Sequence, residues 1–322
     1  MLSRTADHLF WMARYMERAE NTARMLDVNY QTGLLPQHDD NAEEEGWRGL
    51  LSISELTLSF SKKYEQVTAR NVMEFMVRDE TNPSSIASCV GAARENARAV
   101  RGALTTEVWE TQNQTWLEFM RVLKDPAFER DPSSLFEWVK FRSHLSRGVT
   151  VGTMLQDEAL HFLRIGTFLE RADNTARLLD VKFQALAGGD YFGPTAAKEG
   201  LEVDFYHWSA ILRSVSGFEI YRKVYRNVIH PEKVAELLIL RPDMPRSLAA
   251  CLNDLVLNLE MVSNQQSSET VRRAGRLRAD LKYVHIDEIL ATGLHAYLTQ
   301  FLDRVNDIGV GISRDFLVPM AA

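Results

Sequence analysis

The chain has 322 residues and a mass of 36.7 kDa, with 45% hydrophobic and 25% charged residues. That is the composition of a globular protein with room for two domains or one extended helical array. A formal net charge of -7 and a pI near 5.7 argue against a nucleic-acid binder, whose footprint is normally a basic face. Only Cys89 and Cys251 are present, which excludes a disulfide framework and a thiolate zinc cluster and suits a reducing, cytoplasmic setting. No apolar run has the length of a membrane span, and charges interrupt Met1 to Glu20 where a signal peptide would be apolar.

Taken in chain order, the pattern is helical. From about Ser3 to Thr32, Leu9, Met12, Met16, Ala19, Ala23, Leu26 and Tyr30 recur at three- and four-residue steps. They form a heptad-like seam on a helix roughly 45 Å long. Asn41 and Glu44 form a capping box that opens a helix through Trp47 to Phe60. Thr68 to Val77 is a shorter helix. Pro83-Ser84 starts another that runs to Leu104, and Thr106 to Leu123 follows after a break at Gly102. Ser133 or Ser134 caps a helix through Trp138 and His144. A second long helix has its seam at Phe162, Ile165, Leu169, Ala172, Ala176, Leu179 and Phe183.

GGDYFGPTAAKEG, residues 188–200, is the clearest boundary. It separates a helical region 1–187 from a C-terminal helical region 201–322 that completes the second half. Beyond it the pattern gives helices at Asp204 to Val215, Gly217 to Asn227, Pro231 to Leu240, Pro245 to Ser263, Ser268 to Tyr283 and Ile286 to Leu317. No alternating strand pattern appears, so the expected class is all-α, a duplicated helical bundle with long heptad-like helices.

The duplication is read from an internal repeat. YMERAENTARMLDV, Tyr15 to Val28, returns as FLERADNTARLLDV, Phe168 to Val181. The match extends without a gap from Met1 and Met154, through His8 and His161, to Gln31 and Gln184. Roughly half of the aligned positions are identical, more than two unrelated amphipathic helices would share. A fainter third copy, FLDRVNDIGVGI from Phe301, keeps only an acid-Arg pair.

Within the repeat, Glu17, Asn21 and Arg24 fall at i, i+4 and i+7 on one face, and Glu170, Asn174 and Arg177 do the same. Arg18 and Arg171 lie about 100° around the helix. Two readings follow. In the first, the residues form a polar seam between paired helices, with Glu-Arg bridges fixing register. In the second they form a site, in which Arg24 and Arg177 hold a carboxylate or phosphate and Glu17 and Glu170 act as acids, bases or metal ligands. The seam is the favoured reading, because ion pairs flanking a core outnumber active sites. Arg94, Arg98 and Arg101 make a basic stripe expected to meet Glu17 or Glu170 across the bundle. The basic run Glu269 to Lys282, with Arg272 and Arg276, reads as a solvated face.

A metal site finds little support. Glu158 and His161 form a single ExxH, and Asp204 with His207 is a looser relative, whereas carboxylate di-metal bundles need two such motifs and two further Glu. There is no phosphate-binding glycine loop and no nucleophile elbow, and neither cysteine has a neighbouring His in sequence to activate it. No cofactor is therefore expected.

The paired ER-A-[ED]-NTAR-[ML]-LDV core resembles the bacterial Alpha-E family, helical proteins named for a Glu-Arg motif that maps here onto Glu17-Arg18 and Glu170-Arg171. The resemblance runs along the whole chain, through NPSSIASCVGAARENARAVRGALTTEVWE (Asn82 to Glu110), QDEALHFLRIGTFLERADNTARLLDVKF and RPDMPRSLAACL (Arg241 to Leu252). Gln156, where a basic residue is usual, and Ala159, where a bulkier one is, are small departures. The resemblance implies company with a circularly permuted ATP-grasp protein and often with a transglutaminase-like protease, in a setting of ATP-dependent amide or peptide bond formation. The expected role is an accessory or scaffold partner of such a ligase. The alternatives are an enzyme of amino-acid or peptide transfer using the Glu-Asn-Arg clusters and, behind it, a di-metal helical oxidase.

Overall fold

The computed structural model describes residues 1–34, 42–124, 130–186 and 201–317. Fifteen α-helices are present among them, and no strand. They are α1 (Ser3–Gly33), α2 (Ala42–Ile53), α3 (Thr57–Ser61), α4 (Ala69–Val77), α5 (Ile86–Ala99), α6 (Thr106–Val122), α7 (Pro132–Thr153) and α8 (Glu158–Leu186). The C-terminal part adds α9 (Leu201–Ser214), α10 (Phe218–Tyr225), α11 (Pro231–Leu240), α12 (Leu248–Met261), α13 (Ser268–Tyr283), α14 (Ile286–Thr292) and α15 (Leu294–Phe316). None of the described helices is long and apolar enough to cross a membrane.

Local chemistry explains several of the boundaries. Thr68, Ser85, Thr105 and Ser247 each accept a hydrogen bond from the backbone N–H three residues on, which starts α4, α5, α6 and α12. A short 3-10 turn, Arg101–Ala103, falls at the break expected around Gly102. Three boundaries differ from the sequence reading. The helix expected through Trp47 to Phe60 is two, α2 ending at Ile53 and α3 beginning at Thr57, with Glu55 at φ 57° between them. Helix α7 is entered from Asp131 with Pro132 in its first turn, so neither serine caps it. Ser134 Oγ instead donates to Asp131 O, and Ser133 Oγ to Asp27. The stretch from Ile286 is two helices, because Gly293 takes φ +95°, a conformation that ends one helix before the next begins. Asn41, half of the anticipated capping box, and the 188–200 boundary lie outside the described residues.

The two helices that carry the repeat form the centre. They pack on each other and run the same way, since Phe10 meets Gly166, Arg14 meets Glu170 and Glu17 meets Arg171. Leu9, Ala19, Ala23 and Leu26 on α1, and Ile165, Ala172, Ala176 and Leu179 on α8, are fully buried, so the seam read from the sequence is core. Around this pair the packing is reciprocal. Helix α5 covers α1 and α12 covers α8. Helix α6 lies on α5 and α7, as α13 lies on α12 and α15. Helix α2 reaches across to α8, and α9 reaches across to α1.

Gly166 is what allows the close approach. A Cβ there would stand 2.3 Å from the Phe10 carbonyl oxygen.

Candidate functional site

The middle of α1 is buried on its polar side as well as its apolar one: Glu17, Glu20, Asn21 and Arg24 are all at most 7% exposed. Charges this deep must be paired, because a lone buried charge costs several kcal/mol. Glu17, Glu20 and Arg24 all are, while of Asn21 only the amide oxygen is bonded and its buried Nδ2 has no partner among the described residues. Glu17 takes a two-pronged bond from Arg171, Nε to Oε1 and Nη2 to Oε2, both 2.9 Å. Arg246 Nη1 adds a third bond at 2.9 Å and Arg147 Nη1 a fourth at 3.1 Å. Glu20 accepts from Arg24 at 2.9 and 2.7 Å, from Arg246 Nη2 at 2.5 Å and from Ser143 Oγ at 2.7 Å, and also from Arg147. Asn21 Oδ1 accepts from Arg246 Nη1 at 2.8 Å. Burial alone would raise both carboxyl pKa values. Arg171 and Arg246 reverse this for Glu17 and hold it at about 2, and Arg246 does so for Glu20 with help from His144, Arg147 and Arg24.

A second cluster lies across the helix pair. Glu170 accepts from Arg18 at 2.6 and 3.1 Å and from Arg14 Nε at 2.7 Å, and these two arginines keep it ionised against its burial. Arg177 donates to Asp173 at 2.8 and 3.1 Å and pairs with Glu55 at 2.5 Å. The two Glu-Arg motifs therefore exchange partners: Glu17 binds Arg171, and Glu170 binds Arg18. Cation and anion come from different halves of the sequence, so the motif binds the halves together. Both clusters also border open space. A cleft of about 320 Å³ has Glu17, Arg147 and Arg171 in its lining, and one of about 290 Å³ has Arg18, Glu170, Asp173, Asn174 and Arg177.

Arg24 and Arg177 occupy matching positions in unequal surroundings. Glu20 is fully buried, whereas the Asp173 side chain keeps 20% of its surface and Glu55 keeps 70%. Arg24→Ala should cost about 3 kcal/mol, the low end for breaking a buried pair because Arg246 and Arg147 still hold Glu20. Arg177→Ala should cost about 1–2 kcal/mol, between exposed and buried pairs, because Asp173 is part-buried and Glu55 is exposed. Chemical denaturation of both variants measures the difference, and equal costs would contradict it.

Other expected site residues lie elsewhere. Arg94 bonds Asn113 and Glu95, and Arg98 bonds Glu95, on the outer side of α5. The basic stripe does not reach Glu17 or Glu170, because α5 turns Ile86, Cys89, Val90, Ala93 and Ala97 inward. Glu158 accepts from the Met1 amine, while His161 Nδ1 lies 2.8 Å from Asn258 Oδ1, so the ExxH pair is divided between two partners. His207 faces the Lys182 carbonyl at 3.2 Å and burial lowers its pKa to about 4; the Asp204 side chain lies outside the described residues. Among the described residues no three His, Cys, Asp or Glu gather as a metal site would require. Burial pushes both cysteine thiols up to about 12, far from a reactive thiolate.

Arg246, Arg147, Ser143 and Arg14 were not singled out by sequence reasoning. Arg246 sits inside the RPDMPRSLAACL stretch, and a second correspondence was available there. Pro83, Ser85, Cys89 and Asn96 have the spacing of Pro245, Ser247, Cys251 and Asn258. The structure gives them like roles. Ser85 and Ser247 cap helices, and the Cys89 and Cys251 thiols approach the Pro83 and Pro245 carbonyls at 3.8 and 4.0 Å. Asn96 and Asn258 meet His8 and His161 at 2.7 and 2.8 Å.

This helical domain with cross-paired Glu-Arg motifs matches one family model along residues 1–317, described as a predicted alpha-helical domain with a conserved ER motif. The chain belongs to the Alpha-E family. It is similar to an uncharacterized protein of Mycobacterium bovis and to one of Mycobacterium tuberculosis, each 25% identical over 330 residues covering 94% of this chain and 35% of the relative. The chain thus spans about a third of the length of these curated relatives. No solved structure matches it.

Proposed function

We propose that the chain is built from two copies of one helical unit and serves as an accessory or scaffold partner of an ATP-grasp amide or peptide ligase. The observation that carries this is the exchange of ion pairs between the two Glu-Arg motifs. Their carboxylates and guanidinium groups are committed to each other, which is a role in architecture and leaves the outer surfaces for docking. The reciprocal packing of α5 and α12, α6 and α13, and α2 and α9 supports the two-copy reading. The greater length of the mycobacterial relatives supports partnership, since there this domain is joined to about twice its own length of further chain. The ATP-grasp identity of the partner, with a transglutaminase-like protease beside it, rests on the family resemblance.

Co-expression with the ATP-grasp protein of the same genome, followed by size-exclusion chromatography, tests the proposal. The expected result is co-elution that persists at moderate salt, and no magnesium-dependent ATP hydrolysis by this chain alone. Separate elution at every salt concentration would overturn it, and ATP turnover by the isolated chain would favour the enzyme reading.

A further inference from the structure

One of the differences between the two polar clusters leaves a cleft with a defined lining. Pairing Pro83, Ser85 and Cys89 with Pro245, Ser247 and Cys251 sets Ser84 opposite Arg246. In the first cluster the Arg246 guanidinium spans Glu17, Glu20 and Asn21 at 2.9, 2.5 and 2.8 Å. The repeat counterparts of those three residues are Glu170, Asp173 and Asn174. In the second cluster they line, together with Ser84, the cleft of about 290 Å³. The serine hydroxyl reaches none of them. The Asn174 amide has no hydrogen-bond partner among the described residues.

Charge admits a cation here more readily than in the first cluster. The first cluster holds its guanidinium although Arg24, Arg147 and Arg171 also stand around Glu17 and Glu20, three cations beside two carboxylates before Arg246 is counted. The second sets Arg14, Arg18 and Arg177 against Glu170, Asp173 and Glu55, three against three. A guanidinium entering there meets less repulsion than Arg246 does. The volume lies at the lower edge of small-molecule pockets, roughly 300–1,000 Å³, which suits one amino-acid-sized head and not a nucleotide.

We infer that the cleft between α1 and α8 at Ser84 is a binding site for a guanidinium group, held by Glu170, Asp173 and Asn174 as Arg246 is held by Glu17, Glu20 and Asn21. The group belongs to a free arginine-like compound or to an arginine side chain in a peptide. The inference goes beyond the partner reading and does not depend on it.

Calorimetric titration of the purified chain with agmatine, L-arginine, an Ala-Arg-Ala tripeptide, L-citrulline and cadaverine is the test. Saturable binding of agmatine or arginine is expected, with at least tenfold weaker binding of citrulline, which has the same shape without the charge. Cadaverine should also bind at least tenfold more weakly, because an ammonium cannot span three acceptors in one plane. Preference for the tripeptide over the free compounds assigns the peptide source, and the reverse assigns the free one. Ser84→Arg should fill the cleft from within, abolishing binding while raising the melting temperature. Asp173→Asn should weaken binding about tenfold with the fold retained. No saturable binding of any guanidinium compound by wild type, equal affinity for citrulline or cadaverine, or wild-type affinity in Ser84→Arg would each overturn the assignment.

Discussion

Arg246→Ala is expected to destabilise the chain by about 3–5 kcal/mol, the range for breaking a buried ion pair. Arg246 is 6% exposed and its guanidinium touches both carboxylates of the first cluster, so its loss leaves Glu17 and Glu20 facing each other with one fewer shared cation. Methionine should not rescue, since it fills volume and donates nothing. The pH dependence makes the cause visible. Glu17 has an unfolded value of 4.5 and is held at about 2 in the fold. A depressed carboxylate contributes stability that is present above pH 4.5 and is lost as pH falls towards 2. For Glu17 alone this is on the order of 3 kcal/mol. In Arg246→Ala the folded pKa moves back up, so the gap between variant and wild type should be widest near pH 7 and narrow between pH 4.5 and 2. Urea titrations across that interval decide the matter. A gap that stays constant with pH would mean that Arg246 acts through packing and not through charge.

Gly166→Ala is the second large effect. The added Cβ would stand 2.3 Å from Phe10 O, 3.1 Å from its C and 3.3 Å from its Cα. These are backbone atoms, so relief requires moving one central helix away from the other. Overpacking a core costs about 1–3 kcal/mol where side chains can yield, and here they cannot, so the upper end or beyond is expected. Separation of α1 and α8 would also lengthen the Glu17–Arg171 and Glu170–Arg18 bonds together. Gly148→Ala in α7 is the control, because its Cβ would meet nothing within 4 Å. Replacing a helix-interior glycine of that kind gains about 0.5–1 kcal/mol. Thermal unfolding should place the two variants on opposite sides of wild type. A Gly166→Ala protein as stable as Gly148→Ala would show that the helices do not need this contact.

Much of the architecture was legible from the sequence. The three-and-four spacing from Leu9 to Leu26 and from Phe162 to Phe183 identifies two long helices and their buried faces, because a helix repeats every 3.6 residues wherever it packs. Caps such as Thr68 and Ser85 act within a few residues and can be read locally. Gly293 was harder: a glycine inside an apolar pattern marks a break only if the chain takes positive φ there, which its neighbours decide. The correspondence of Pro83 with Pro245 was also concealed, because it lies 162 residues apart while the Glu-Arg motifs lie 153 apart, and an ungapped comparison passes over it.

Spacing along the chain was enough to place the long helices, to show that the Glu-Arg motif occurs twice, and to assign its carboxylates and guanidinium groups to a seam or a site. The choice of partners came from the packing of the helices. Glu17 could have paired along its own helix, but it pairs with Arg171 and Arg246, 154 and 229 residues away, while Glu170 pairs with Arg18 and Arg14. Spacing along a helix fixes the direction in which a side chain points. What it meets there depends on how closely two helices approach, and in this chain that distance is set at Gly166.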